Sequence, residues 1–539
     1  MTPLLRLHDA IRAAAITVAG QAGVGLEAVK LEIPPRAELG DYSTNAPLLL
    51  APRLGSAPRE VAELLAGELH ASLGGALERA EVAGPGFLNL HLSDGWYTEA
   101  LGAVLAEGER FGAATLEQPL SVDVEFVSAN PTGPLHIGHA RQAAYGDALA
   151  RILAYRGHEV TREYYINDYG SQVIKLGESV RALANGEPVP DDGYHGDYVA
   201  GLVEPARARE LDLETLAREA SQACLELIRA SLERFGVSFD VWFSERSLHD
   251  AGAVENVLEA LAERGETYTA DGALWLRTSA HGDDKDRVLV RTSGEHTYFT
   301  SDIAYLENKR ERGYGRLVYV WGADHHGYIA RMKAACAALG GDPDTIELVI
   351  QQFVHLLGVE GRTAMSKREG EYVTLDELVE EVGVDAARFF LLARSHDTTV
   401  DLDLDLAVRE SAENPVYYVQ YAHARIASIL NRAGPERLAE AVARIAAVEP
   451  LHASERALIL RLLSFDVELA EAAERRAPHR VASYALELAQ GFTAFYRDCH
   501  VLGVTPSETE SLRLALALAA RRTIARALDL LGVSAPEQM

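Results

Sequence analysis

Two histidines three residues apart, His136 and His139, stand in the stretch PTGPLHIGHARQ, among glycines and prolines and ahead of an apolar, helix-forming run. At that spacing the rings share one face of a helix, and as donors they can stabilise charge developing on a phosphate in transit. LSVDVEFVS before them reads as a buried strand, and ARQAAYGDALARILAYRG after them as a helix. Strand, Gly/Pro loop and helix together present free backbone N–H groups to an anion. The loop lacks the lysine of a GxxxxGK[ST] phosphate loop. Paired histidines are also common metal ligands, but no HExxH glutamate or Glu-x-x-His partner accompanies these. Zinc takes three or four ligands, so no metal site and no structural zinc are expected. Loop histidines with satisfied hydrogen bonds are the plain alternative.

The elements that must hold this pair follow from the pattern around it. HEVTREYYIND reads as a second strand, closing a βαβ unit. Residues from about 171 to 285, rich in charge, glycine and helical pattern, read as an insertion. Strands alternate with helices again from RVLVRTSG through RLVYVWGADHHGYIARM to IELVIQQFVHLLG. The expected architecture is α/β: a parallel-sheet catalytic core over 111–400 with that insertion, a small α+β N-terminal domain over 1–110, and an all-α C-terminal domain over 401–539. DLDLDL lacks the glycine and distal glutamate of a calcium loop and reads as a strand with a solvated acidic face.

A chain of 539 residues exceeds what one core supports, which fits three or four domains. Hydrophobic residues at 48% and charged ones at 24% exclude a disordered or fibrous protein. Cys224, Cys336 and Cys499 are scattered and never form CxxC, so no disulfide framework is indicated and a reducing cytoplasm fits. The N-terminal segment carries charges at helical spacing, unlike a signal peptide, and no apolar run is long enough for a membrane span. The net charge of -29 argues against a nucleic-acid partner only if charge is evenly spread, because 51 basic residues can line one face.

HIGH after a first Rossmann-type strand resembles the first signature of class I aminoacyl-tRNA synthetases, and AMSKR, at 364–368, resembles their second, KMSKS. The order on the two halves of one α/β domain is the family's. The resemblance implies that His136 and His139 act on ATP phosphates and Lys367 on the leaving pyrophosphate, all three catalytic. It adds Gly138, Met365, Ser366 and Arg368 to the ATP contacts. Ala364 departs from the pattern where a lysine is usual, and Arg368 where a serine is. In-line attack on an α-phosphate needs donors and a cation on both sides, which agrees with this division. WGADHHGYIARM resembles the segment after the fourth strand, implying that Asp324 accepts from ribose hydroxyls and Gly322 permits close approach.

The wider context, VEFVSANPTGPLHIGHARQ with YYINDYGSQ, YFTSDIAY and NPVYYVQYAHARI, is similar to the arginyl-tRNA synthetase family over almost the whole chain. A guanidinium is a planar five-donor fork, so its pocket needs carboxylates aimed at the fork. Glu125 and Asp302 are the candidates; both are also the residue types of a structural ion pair or helix cap. Tyr298 would cover the arginine stem, and Ser128 with Asn130 would hold its amino and carboxylate groups. A lysine ammonium cannot satisfy two carboxylates placed for a fork.

The same resemblance implies tRNA contacts in both flanking domains: Phe87 and Asn89 in GPGFLNL, and Tyr418 and Tyr421 with Tyr417, His423 and Arg425 in the helical domain. It implies an arginine–tRNA ligase of protein synthesis that uses L-arginine, ATP with Mg2+ and tRNA(Arg), activates arginine efficiently only with tRNA bound, and works as a cytoplasmic monomer off the membrane. A cysteinyl-type synthetase would need a thiolate zinc site, and a non-catalytic tRNA-binding paralogue would have lost its signature residues.

Overall fold

The computed structural model describes residues 3–20, 28–357, 373–445 and 450–539, except the side chains of Ala37, Asp324, His325 and His326. At its centre is a parallel sheet that, among the described residues, has five strands: β1 (Ser121–Phe126), β2 (Glu159–Ile166), β3 (Val241–Ser244), β4 (Arg316–Gly322) and β5 (Ile346–Gln351). They lie in the order β5-β4-β1-β2-β3. Helix α1 (Ile137–Tyr155) covers one face, packing with Val122, Val124, Phe126, Val318 and Val320, and helix α2 (Tyr298–Glu311) covers the other with Leu317 and Tyr319. Coverage of both faces is why these strands read as near-continuous apolar runs. α1 approaches β1 so closely that a Cβ on Gly146 would stand 2.1 Å from the Phe126 ring. The order reverses between β1 and β4, and the crevice beyond their carboxyl ends is where such sheets bind nucleotides.

The segment expected as one insertion is divided. Helices Ser171–Asn185 and Leu213–Arg234 pack on each other around Leu176, Val180, Leu216 and Ala220, but Val241–Ser244 returns to the main sheet and pairs in parallel with β2. A second inserted unit follows, the antiparallel strands Thr267–Ala270, Ala273–Leu276 and Arg287–Val290. β3 is four residues of intermediate burial, too short for a period-two signal to stand out among helical neighbours.

The N-terminal unit is α+β, with Leu31–Glu32, Tyr42–Thr44, Phe87–Leu92 and Leu77–Ala83 paired antiparallel in that order. Helices Pro415–Ala433, Ala453–Glu474, His479–Asp498 and Ser507–Leu530 form the C-terminal bundle. The acidic repeat begins as a strand, Val400–Asp403, with Val400 and Leu402 buried and Asp401 exposed; Asp403 then caps the short helix Leu404–Ala407. It pairs in parallel with Val354–Leu357, which leads out of β5. Among the described residues, no helix is long and apolar enough to cross a membrane.

Candidate active site

β1 ends in a tight reversal, with Val127 and Ser128 at φ 69 and 40. Non-glycine residues in this left-handed region are strained, and such strain collects at functional sites. The reversal turns the Ser128 hydroxyl back to donate to Glu125 Oε1 at 3.1 Å and to accept from the Tyr165 N–H at 3.1 Å.

His136 is the N-cap of α1, and its Nδ1 accepts from the Gly138 N–H at 3.1 Å. His139 Nδ1 accepts from the His136 N–H at 3.3 Å, and the rings lie 3.7 Å apart. A nitrogen that accepts carries no proton, so each neutral ring keeps its hydrogen on Nε2. Burial lowers both pKa values, that of His139 to about 3 with His136 as the second cause. The pair therefore offers neutral N–H donors at a helix N-terminus. A Cβ on Gly138 would come within 2.9 Å of the His136 ring, so a side chain there would push that ring from its place.

Backbone pairing ties this loop to a distant segment. His136 forms an antiparallel bridge with Thr374, Ile137 N–H donates to Val373 O at 3.0 Å, and Leu375 N–H donates to Leu135 O at 2.8 Å. Residues 364–368, with Met365, Ser366, Lys367 and Arg368, lie outside the described residues and end shortly before this bridge. Arg141, 2% exposed, donates to the carbonyls of Gln352, Ser395 and Thr398 at 2.6, 2.9 and 2.8 Å. With its amide oriented to match its neighbours, Gln142 donates to Val127 O at 3.3 Å and accepts from Gly322 N at 3.2 Å, spanning the ends of β1 and β4. Asp324 follows Gly322 in the turn Ala323–Tyr328, its side chain outside the described residues.

Under the loop is a dense charge network. β1 presents Asp123 and Glu125 to the same side as Glu163, which stands opposite Glu125 on β2. Lys309 from α2, fully buried, meets Asp123 at 2.5 Å and Glu125 Oε2 at 2.7 Å, while Glu163 takes the Arg312 fork and the Tyr305 hydroxyl. Burial opposes a charged ammonium, but Asp123 and Glu125 more than offset it and hold the Lys309 pKa well above its ordinary value. Glu125 is thus part of a structural ion pair with one oxygen while the other accepts from Ser128.

Asp302 has no ion-pair partner among the described residues. It accepts from the Tyr328 hydroxyl, and burial, with Glu125 adding to it, pushes its pKa up to about 6 against the opposing charge of Arg331. Glu245, at the end of β3, was not foreseen from sequence. It is 3% exposed, its Oε2 has no hydrogen-bond partner, and burial followed by repulsion from Asp302 pushes its pKa up to about 7. The Tyr165 ring lies in the field of all three carboxylates. Recognising β3 as a sheet strand would have pointed to Glu245, since groups just past a parallel strand's carboxyl end face the ligand crevice.

Tyr298 opens α2 beside this cluster and is 57% exposed. Asn130 donates to Gln172 at 2.6 Å. Among the expected RNA contacts, Phe87 and Tyr421 are 38% and 41% exposed, Asn89 is buried, and Tyr418 packs half-buried on the core. Tyr417 and Tyr421 stack 6.0 Å apart with the Arg425 guanidinium 4.6 Å over Tyr421, and His423 is buried with Nδ1 2.8 Å from Pro536 O. Among the described residues no group of three or more His, Cys, Asp or Glu is placed to hold a metal.

A doubly wound sheet with a histidine-bearing first loop, followed by a helical bundle, defines the class I aminoacyl-tRNA synthetase type. Family models agree along the chain: arginyl tRNA synthetase N terminal domain over residues 5–92, tRNA synthetases class I (R), catalytic domain over 100–183 and 209–467, and DALR anticodon binding domain over 419–539. The chain is 45% identical to the arginine–tRNA ligase of Geobacillus kaustophilus over 99% of this chain and 98% of that one, and 46% identical to that of Desulforudis audaxviator over 99% and 97%. The solved Thermus thermophilus arginyl-tRNA synthetase superposes with TM-score 0.79 and 26% identity over 99% of both chains. This chain belongs to the arginyl-tRNA synthetase family.

Proposed function

We propose that this protein is an arginine–tRNA ligase in which Asp302 and Glu245, with Glu125 fixed behind them by Lys309, hold the guanidinium of L-arginine. The carrying observation is the pair of crowded carboxylates, Asp302 and Glu245, which repel each other and form no ion pair with Lys or Arg among the described residues, with Glu245 Oε2 lacking a hydrogen-bond partner. A permanently charged fork relieves that crowding and supplies a donor to the orphaned Glu245 oxygen. Tyr298 lies along the aliphatic stem, and Asn130 and Ser128 hold the α-amino and carboxylate end.

ATP enters as a substrate with Mg2+ on its own phosphates. The arginine carboxylate oxygen bonds to the α-phosphorus, and pyrophosphate leaves with the broken bond pair. His136 and His139 donate through Nε2 to the phosphoryl oxygens, Gly138 lets the nucleotide approach, and Gly322 with Asp324 borders the ribose. Lys367, with Met365, Ser366 and Arg368, serves the departing pyrophosphate. A tRNA(Arg) hydroxyl then takes the arginyl group, with the flanking domains, 1–110 and 401–539, holding the tRNA through residues such as Phe87 and Tyr421. The protein works as a monomer in the cytoplasm. Purified protein, ATP, total tRNA and each amino acid in turn test this: arginine alone should appear on tRNA, and charging by a different amino acid, or none, would overturn it.

A further inference from the structure

We propose that Tyr198 is a positioning residue, its hydroxyl fixing the loop between Asn130 and His136; this rests on the ligase reading above. Held so, the loop sets how the arginine carboxylate approaches the α-phosphate of ATP. Tyr198 lies on the short helix Asp197–Ala200, whose Val199 is fully buried in the core of the inserted helical unit with Leu176, Val180, Leu216 and Ala220. Gly196 enters this helix at φ 120, where glycine is favoured, and a Cβ on it would press against the Tyr198 ring at 3.2 Å. From there the hydroxyl reaches out of its own unit and donates to Thr132 O at 2.7 Å. Burial raises the pKa of this phenol above its ordinary value, so it stays a donor.

The loop needs such a partner. Residues 129–133 lie between β1 and α1 and belong to neither, and Thr132 is 6% exposed, so its carbonyl would otherwise be buried without a donor. The neighbouring groups are anchored one by one. The Tyr164 hydroxyl donates to Ala129 O at 2.9 Å, Gln172 accepts from Asn130 at 2.6 Å, and Thr132 N–H donates back to Asn130 O at 2.8 Å. Two of these anchors, Gln172 and Tyr198, come from the inserted unit. Asn130 serves the proposed arginine and His136 the phosphates, and Thr132 lies between them. Without the Tyr198 hydroxyl each substrate keeps its own contacts, but the two ends of the loop lose their fixed separation. Such a misplacement of reacting groups lowers kcat rather than either affinity. Gly133 supplies an independent mark of the same contact. A Cβ there would stand 3.2 Å from the Tyr198 hydroxyl oxygen and 3.6 Å from the ring carbon that bears it, so a side chain at 133 competes with that hydroxyl.

The test is arginine-dependent ATP–pyrophosphate exchange with tRNA(Arg) present, for wild type, Tyr198→Phe, Gly133→Ala and the double variant. Tyr198→Phe should lower kcat about tenfold, the scale of one hydrogen bond, with the KM values for arginine and ATP within about twofold of wild type. Gly133→Ala should show the same split. Joined to Tyr198→Phe it should cost less than about twofold more, because the oxygen it crowds is then gone. An unchanged kcat for Tyr198→Phe, a loss carried by either KM, or losses that multiply in the double variant would overturn the positioning role. Melting temperatures of the four proteins report folding. If Tyr198→Phe does not fold, Gly133→Ala alone should show the split, and an unchanged kcat there overturns the inference. Failure of the wild type to charge arginine would instead remove the ligase reading.

Discussion

His136, in the first signature, is bridged through its backbone to Thr374, which follows the second signature. The loop that carries the first signature and the segment from Val373 to Leu375 are therefore paired backbone to backbone, and Arg141 ties the same helix to the Gln352 carbonyl. The first-signature loop and the segment from Val373 onward are thus both tied to α1 and share one frame.

That frame makes Arg141 a positioning residue. Arg141→Lys keeps the charge but loses the fork that serves three carbonyls. We expect adenylate formation to slow by about 10- to 100-fold, the scale of a small misplacement of reacting groups. The KM for arginine should change little. Single-turnover adenylate formation with tRNA present checks this, and a parallel rise in the arginine KM would reject the assignment.

The neutral histidine pair gives a second expectation. His139→Ala removes an Nε2 donor and the acceptor for the His136 N–H, and should lower the rate of adenylate formation by about 100-fold, the range seen for one lost oxyanion donor. Because burial lowers the His139 pKa to about 3, the wild-type rate should show no titration of His139 between pH 6 and 8. A rate that follows imidazolium formation at His139 over that range would contradict the donor role.

Asp302 and Glu245 have pKa values raised in the folded protein, so each is more readily protonated there than in the unfolded chain. Without arginine they therefore favour folding at low pH, and this contribution is lost as pH rises through about 6 and 7. Arginine binding works in the opposite sense, because a protonated carboxyl cannot pair with a guanidinium. The arginine KM should rise roughly tenfold from pH 8 to pH 6, one unit below the Glu245 value, while the ATP KM changes little. Steady-state charging at both pH values decides it.

Glu245→Gln separates binding from stability. At pH 8 it removes a destabilising buried charge, so the ligand-free protein should melt at a higher temperature, by at most a few kcal/mol of stability. The arginine KM should rise about 100-fold, as for a lost buried charge pair. Calorimetry and charging kinetics on one preparation measure both; a lower melting temperature with an unchanged KM would place Glu245 in an ordinary structural role.

The sequence made the first βαβ unit legible because loop chemistry, strand and helix agree over one continuous stretch. His136, His139, Glu125 and Asp302 could be named from motif and residue type. What it hid depends on pairing between distant segments. β3 is four residues long, so the insertion seemed continuous and Glu245 went unnoticed beside it. Lys309 reads as one more basic residue in LENKRER, and only the register of β1 against β2 shows that three carboxylates surround it. Asn89 and Tyr418 illustrate the same limit, since strand alternation and helical phase alone do not say which face is covered.

Recognition of a charged fork by carboxylates is the central claim, and L-citrulline tests it most directly, since it keeps the shape of arginine with a neutral ureido group. The measurement is kcat/KM for charging tRNA(Arg) at pH 8 with arginine, citrulline and lysine. Arginine should exceed both others by at least about 1000-fold, because each analogue leaves buried carboxylates unpaired. Citrulline or lysine charged within about tenfold of arginine would contradict the account.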